Sequence, residues 1–190
     1  TDAAGGKIPC KVELKPLDEK MRLDFGPDSA DYAVRDLLYT PNGKFEHTVP
    51  AGKYAVRVSH GPEFDTLESE LEVKSGETAS FHGKLIRSVD TTGWVSSDFH
   101  SHSTPSGDNT SSQLGRVLNL VCEHVEFAPC TEHNRVSTYQ PHIKTLGIES
   151  FFSTVSGIEL TGVPLPLNHQ NAFPMKYTPV SYTHLRAHET

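Results

Sequence analysis

Apolar and polar residues alternate with a period of two over several short runs in the first half of the chain. In an extended strand such alternation places the apolar side chains on one face, so each run predicts a half-buried β-strand. Turn-forming triplets that contain glycine separate the runs at roughly the 8 to 12 residue spacing typical of a β-sandwich. Residues 7–90 are therefore predicted to form an all-β sandwich module. The apolar positions of its strands are Ile8, Cys10, Val12 and Leu14, then Tyr54, Val56 and Val58, then Leu67, Leu71 and Val73, and finally Ala79, Phe81 and Leu85.

Two helices are predicted in the second half of the chain. Apolar residues at helical spacing indicate the first over residues 110–123. A second, over residues 136–146, is expected to be interrupted early by Pro141 and to end at Gly147. The candidate N-cap residues of the first helix are Asn109, Thr110 and Ser111.

Three apolar runs frame these helices and predict strands near residues 94–102, 125–130 and 151–160. Strands that alternate with helices indicate a parallel sheet or barrel, in which catalytic groups collect at the carboxyl ends of the strands. Each run ends at a residue able to bind a metal. These residues are His102, His133 and Glu159.

Composition narrows the classes of function. The 190 residues carry a formal net charge of −7, which argues against a protein that coats nucleic acid. No stretch is long and apolar enough to span a bilayer. Cys10, Cys122 and Cys130 form neither a disulfide framework nor a zinc-knuckle spacing, so cysteine usage leaves the compartment open.

The segment from Asp98 to His102 carries the clearest metal-binding pattern. In an extended strand Asp98, His100 and His102 point to the same side, so two imidazoles and a carboxylate can approach one cation. Histidine nitrogens and carboxylate oxygens suit zinc, manganese or iron. Exposed or core histidines are the alternative explanation of this segment taken alone.

Five short motifs between residues 93 and 174 occur in an order that resembles the first half of a polymerase and histidinol phosphatase (PHP) domain. The similarity is greatest to the carbaryl-hydrolase-like metallohydrolases, which often carry a β-sandwich before the catalytic part. Consistent with this, the hairpin at residues 49–56 resembles those of carboxypeptidase-regulatory-like domains. The five motifs are Asp98-Phe99-His100-Ser101-His102, Gly107-Asp108, Glu132-His133-Asn134, Gly157-Ile158-Glu159 and Asn168-His169-Gln170-Asn171.

This resemblance implies that residues 93–179 are the first part of a distorted (β/α)7 barrel that holds two or three divalent metal ions. It also implies that Asp98 lies behind the ligands and orients them. Glu159 and His133 would have catalytic roles. The family usually has aspartate where this chain has Glu132, which leaves the role of Glu132 open. The implied metal ligands are His100, His102, Asp108, His133, Glu159 and His169.

The function implied by the resemblance is a metal-dependent hydrolase of a small-molecule substrate. A metal-bound hydroxide would attack a phosphoester, ester, amide or carbamate bond. The alternative is a non-catalytic binding protein in which the β-module binds carbohydrate or protein and a degenerate barrel serves as scaffold. A missing or substituted Asp-x-His pair later in the gene would favour this alternative.

Both ends of the chain look artificial. It begins at Thr1 without methionine, so we expect it to start inside a longer protein. Residues 180–190 resemble a translated sequencing adapter, with a natural polar tail as the alternative, and His184 and His188 are not counted as ligands. The later histidine and the Asp-x-His pair of PHP domains have no counterpart before Val180. The barrel is therefore expected to be incomplete and the fragment itself inactive.

Overall fold

The computed structural model describes residues 1–162 and 169–178. The predicted adapter tail at residues 180–190 lies outside the described residues, and so do His184 and His188. The chain divides into two compact units. Unit 1 comprises Thr1–Trp94 and Leu118–His124, and unit 2 comprises Val95–Val117 and Val125–Thr190. Within the described ranges, no helix has the length and apolar character needed to cross a membrane.

Unit 1 is built on one five-stranded antiparallel sheet. The strands are β1 (Cys10–Pro16), β2 (Ala33–Val34), β3 (Leu37–Thr40), β4 (Gly52–Ser59) and β5 (Leu67–Val73). Their order across the sheet is β2-β3-β1-β4-β5, and the central strand β1 pairs Val12 with Leu38 on one side and with Val58 on the other.

The core of unit 1 lies on one face of this sheet, because the alternating apolar residues of β1 and β4 are the buried ones. The fourth predicted strand, over Ala79 to Leu85, does not form: Leu85 makes only an isolated bridge with Asp2. Gly83 interrupts this run, and glycine inside a strand weakens it. The sandwich stays a prediction, since the strands of unit 1 form a single sheet. The core residues are Ile8, Cys10, Val12, Leu14, Leu38, Tyr54, Val56, Val58 and Leu85.

The two predicted helices form with shifted starts. Helix α1 spans Gln113–Cys122, and the Ser112 hydroxyl accepts the Gly115 N–H at 3.0 Å, so none of the three predicted N-cap residues has that role. Helix α2 spans Gln140–Leu146, with Pro141 in its first turn. The expected interruption is wrong, because proline in the first turn removes no intrahelical hydrogen bond.

Unit 2 contains three chain segments that run parallel to one another. Isolated parallel bridges join Ser97 to Phe127, Phe127 to Ser153 and His133 to Glu159. The parallel direction agrees with the alternation of strands and helices in the sequence, whereas closure into a barrel stays a prediction. Strand β6 (Ile158–Thr161) contains Glu159 and pairs antiparallel with β7 (His169–Ala172). The sequence did not predict this hairpin.

Unit 1 contains a buried cluster of aromatic rings. His60 is 2% exposed, and its ring lies 4.7 Å from that of Phe64 and 4.9 Å from that of His124. Gly61 allows the close approach, since its φ is +71° and a Cβ there would meet the Glu123 carbonyl oxygen at 2.2 Å. The Nδ1 atom of His60 has no hydrogen-bond partner in the described part of the chain. Protonation of His60 is therefore unfavourable.

We expect this cluster to make unit 1 sensitive to acid. Burial, followed by the neighbouring His124, lowers the pKa of His60 from 6.5 to about 4, although Glu63 favours the proton. The unfolded chain takes up the proton first as pH falls below 6.5. The free energy of unfolding should then decrease by up to about 1.4 kcal/mol per pH unit down to pH 4.

Urea unfolding followed by far-UV circular dichroism at several pH values measures this dependence. His60→Gln should flatten it relative to the wild type, and the control His82→Gln, at an exposed position, should leave it unchanged. An unaltered pH dependence in His60→Gln would show that His60 is not responsible.

Candidate metal centre

The His-x-His segment keeps the predicted period of two, although it forms no regular strand. Ser101 and Ser103 are buried, and His100 and His102 alternate with them towards the opposite, more accessible side. The Thr131 hydroxyl accepts the Ser101 N–H at 2.9 Å and donates to the Ser101 carbonyl at 3.0 Å. The neighbouring parallel segment thereby holds the backbone between the two histidines.

Glu159, on β6, has a fully buried carboxylate surrounded by four imidazoles. Its Oε1 lies 2.8 Å from His169 Nδ1 and 3.2 Å from His100 Nε2. Its Oε2 lies 2.9 Å from His133 Nδ1 and 3.3 Å from His102 Nε2. Each carboxylate oxygen therefore faces two histidines that come from different parts of the sequence.

Asp108 completes the cluster from the loop that follows the 3-10 turn Thr104–Ser106. His133 Nε2–H donates to its Oδ2 at 2.9 Å, and His102 Nδ1 lies 3.5 Å from its Oδ1. Its side chain is 56% exposed, so this carboxylate lies at the open side of the site. Two sets of potential ligands result, His100, His102 and Glu159 in one and His102, Asp108 and His133 in the other.

Electrostatics favour the ionised form of both carboxyl groups. Burial opposes ionisation of Glu159, but the hydrogen bond from His169 and the nearby imidazoles outweigh it and hold its pKa below the usual range. The hydrogen bond from His133 is the main reason that the pKa of Asp108 is also lowered. Both side chains therefore present negatively charged oxygens to the site.

The donor set fits a divalent cation. Among the described residues, histidines alone form ion pairs with Glu159, and a buried carboxylate needs compensating positive charge. His100 Nε2 and His102 Nε2 lie 2.7 Å apart. His102 Nδ1 is buried and makes no hydrogen bond within the described part. Converging nitrogens and oxygens of this kind suit zinc, manganese or iron.

A second layer of contacts fixes the ligand-bearing backbone. Asp98 accepts the His100 N–H at 3.0 Å, so its contact is with the backbone of this segment. Asn134, at a φ of 48°, donates from its backbone N–H to the Glu159 carbonyl oxygen at 2.7 Å. Its side-chain amide donates to the Thr161 carbonyl oxygen and accepts the Thr161 N–H, both at 2.9 Å. Asn134 thus fastens β6 to the His133 segment.

All six predicted ligands line one open cavity of about 840 Å³. Sequence reasoning missed Ser106 and Thr161 as members of its wall. Thr161 was detectable, since it lies two positions after Glu159 on the same face of a strand. Ser106 belongs to an irregular turn and carries no sequence signal. The lining residues are His100, His102, Ser106, Gly107, Asp108, Asn109, His133, Glu159, Thr161 and His169.

No protein-family model, no curated protein and no solved structure matches this chain. The PHP resemblance therefore rests on the ordered motifs alone, and it stays a prediction. The geometry of unit 2 brings together His, Asp and Glu side chains that could hold a metal ion.

We expect the chain to bind about two divalent transition-metal ions, as two-metal hydrolases do. His102 belongs to both sets of potential ligands, so His102→Ala should remove most of the bound metal. Equilibrium dialysis against zinc or cobalt, followed by elemental analysis, measures the stoichiometry. The control variant His47→Ala/His82→Ala removes two exposed histidines of unit 1 and should retain the wild-type content. Equal metal in His102→Ala and the wild type would contradict the assignment.

Proposed function

We propose that this chain is part of a metal-dependent hydrolase and that the cavity of unit 2 contributes to its active site. One observation carries the proposal: the buried Glu159 carboxylate has an imidazole nitrogen of four histidines within 3.3 Å. A cluster of this composition gives little to folding stability without a cation, since burying charge and polar nitrogens is costly. Metal binding explains why these groups converge.

The proposed ligands are the six residues predicted from the sequence, and His102 belongs to both sets that could hold an ion. Divalent cations bound there would lower the pKa of water and polarise the bond under attack. The residues of this chain would orient the ligands, and the imidazoles near Glu159 and Asp108 keep the pKa of both carboxyl groups low. The Asn134 side chain fixes β6, and Asp108 keeps an ionised carboxylate at the solvent side of the cavity.

The wall of the cavity favours a small, polar substrate. Beside the proposed ligands it presents the hydroxyls of Ser106 and Thr161, the amide of Asn109 and the backbone of Gly107. These groups donate and accept hydrogen bonds, and the lining residues within the described ranges 1–162 and 169–178 include no large apolar side chain. A substrate with a phosphoester, ester, amide or carbamate group matches this surface. The formal charge of −7 argues against nucleic acid as the partner.

The alternative of a binding protein with a degenerate site receives less support. A degenerate site would be expected to have lost some of its ligand types, whereas all six predicted side chains lie around the same cavity. The side chains of His100 and Asp108 are 50% and 56% exposed. The cavity is therefore open to solvent on this side, which leaves room for a substrate.

Replacing the Glu159 carboxylate by an uncharged amide tests the proposal. After loading with zinc, manganese or iron, the longer protein to which this chain is expected to belong should hydrolyse an activated aryl ester or phosphodiester. Glu159→Gln should lower kcat/KM by about 10²-fold or more, because loss of the carboxylate dismantles the metal site. Release of the nitrophenol product, followed by absorbance, measures the rate.

Glu149→Gln is the matched control, since Glu149 is exposed and does not line the cavity. It should hydrolyse the probe at the wild-type rate. Chelator should abolish the activity of both the wild type and this control. Undiminished hydrolysis in Glu159→Gln would contradict the proposed activity. So would a metal-loaded wild type that releases no product from any of these probes.

A further inference from the structure

Glu132 is the residue whose role the sequence left open, and it is completely buried beneath the metal centre. Its Oε2 accepts the Ser103 N–H at 3.1 Å and a short hydrogen bond from the Ser106 hydroxyl. Its Oε1 accepts a short hydrogen bond from the Ser103 hydroxyl and one of 3.3 Å from the Gln113 amide. The Cys130 thiol also donates to Oε1 at 3.9 Å, so five hydrogen bonds fill the acceptor sites of one carboxylate.

These partners connect Glu132 to three of the proposed ligands. Ser103 directly follows His102, and Ser106 ends the 3-10 turn that leads through Gly107 to Asp108. The Ser106 hydroxyl also accepts the His133 N–H at 3.1 Å. A single buried side chain therefore fixes the backbone on both sides of the turn and links it to the adjoining segment.

The rest of this turn has few internal restraints. Its backbone hydrogen bonds run from the Ser106 N–H to Ser103, from the Gly107 N–H to Thr104 and from the Thr104 N–H to Ser111. Ser103 as N-cap makes no side-chain hydrogen bond to the turn, because its hydroxyl is bonded to Glu132. Glu132 therefore supplies the side-chain hydrogen bonds that hold both ends of the turn that leads to Asp108.

We propose that Glu132 is a positioning residue for the metal centre, acting through Ser103 and Ser106 on His102, Asp108 and His133. The proposal rests on the metal-binding role of the cavity. An aspartate at position 132 would be shorter by one methylene group and would not reach all of these donors. Glu132 is not among the described residues that line the cavity.

Two substitutions separate hydrogen bonding from charge. Glu132→Met has similar length and accepts none of these hydrogen bonds. Glu132→Gln loses the charge but can place its amide oxygen on the Ser103 N–H and the Ser106 hydroxyl, while its NH2 group donates to the Ser103 hydroxyl. It loses the hydrogen bonds from the Gln113 amide and the Cys130 thiol. Tyr139→Phe is the control for the loss of another buried hydrogen bond in unit 2, because it removes a hydroxyl that bonds Ser101 at 3.0 Å and not Glu132.

Cobalt titration followed by visible absorption measures metal affinity and ligand geometry without any turnover. Glu132→Met should bind cobalt about 10- to 100-fold more weakly, as substitutions behind metal ligands commonly do. Its absorption band should also change shape. Glu132→Gln and Tyr139→Phe should stay within about threefold of the wild type, which would assign the effect to hydrogen bonding and to this anchor.

Hydrogen–deuterium exchange of the metal-free proteins gives a second readout that also covers a poorly folded variant. Peptides covering residues 101–109 and the His133 amide should exchange faster in Glu132→Met, whereas the amides of β1 and β4 in unit 1 should not change. Exchange that rises throughout unit 2, including α2, would indicate general unfolding and overturn the positioning role.

The outcomes for the two proposals differ. Wild-type cobalt affinity in Glu132→Met, or an equal loss in Glu132→Gln or Tyr139→Phe, would overturn the inference while the metal centre itself stands. A wild-type chain that binds no cobalt would instead overturn the proposed function. The exchange rates at residues 101–109 would then still decide whether Glu132 holds the turn.

Discussion

The cost of burying the Glu159 carboxylate is the constraint on which the organisation of unit 2 depends. An ionised carboxylate removed from water requires hydrogen bonds and opposite charge in its immediate surroundings. Here four imidazoles supply the contacts, and neighbouring segments hold the backbone that carries them. Imidazole nitrogens and carboxylate oxygens that converge in this way are donors that divalent cations accept, which is the basis of the proposed metal site. The same groups therefore account for both the local fold and the proposed chemistry.

Parallel alignment of three segments places the required side chains within reach. The bridge between His133 and Glu159 brings together residues that are 26 positions apart in the numbering, and β7 adds His169 from the other side of β6. Hydrogen bonds from Asn134 and to Glu132 then fix the segments that carry the ligands. A site assembled in this way loses precision when an element behind the ligands changes, even if every ligand is retained.

Unit 1 follows simpler rules, because its stability comes from one antiparallel sheet with an apolar face. Its departures from simple alternation are local. Gly83 interrupts a run that otherwise reads as a strand, and the His60 cluster places an ionisable ring in a core position. Both features depend on residues outside the regular strands, where periodicity carries no information.

The sequence by itself determined the features that depend on local periodicity and residue chemistry. The strands around Val12, Val56 and Leu71 and the helix after Ser112 could be read from it, because neighbouring residues specify them. The set of six candidate ligands came from the resemblance to PHP domains, and whether those side chains bind metal stays a prediction. What only the tertiary structure decided is how distant residues meet: the anchoring of the 3-10 turn by Glu132, the pairing of His169 with β6 and the wall position of Ser106. These features come from contacts across 8 to 29 positions of sequence, and no local pattern specifies which donor a buried carboxylate will find.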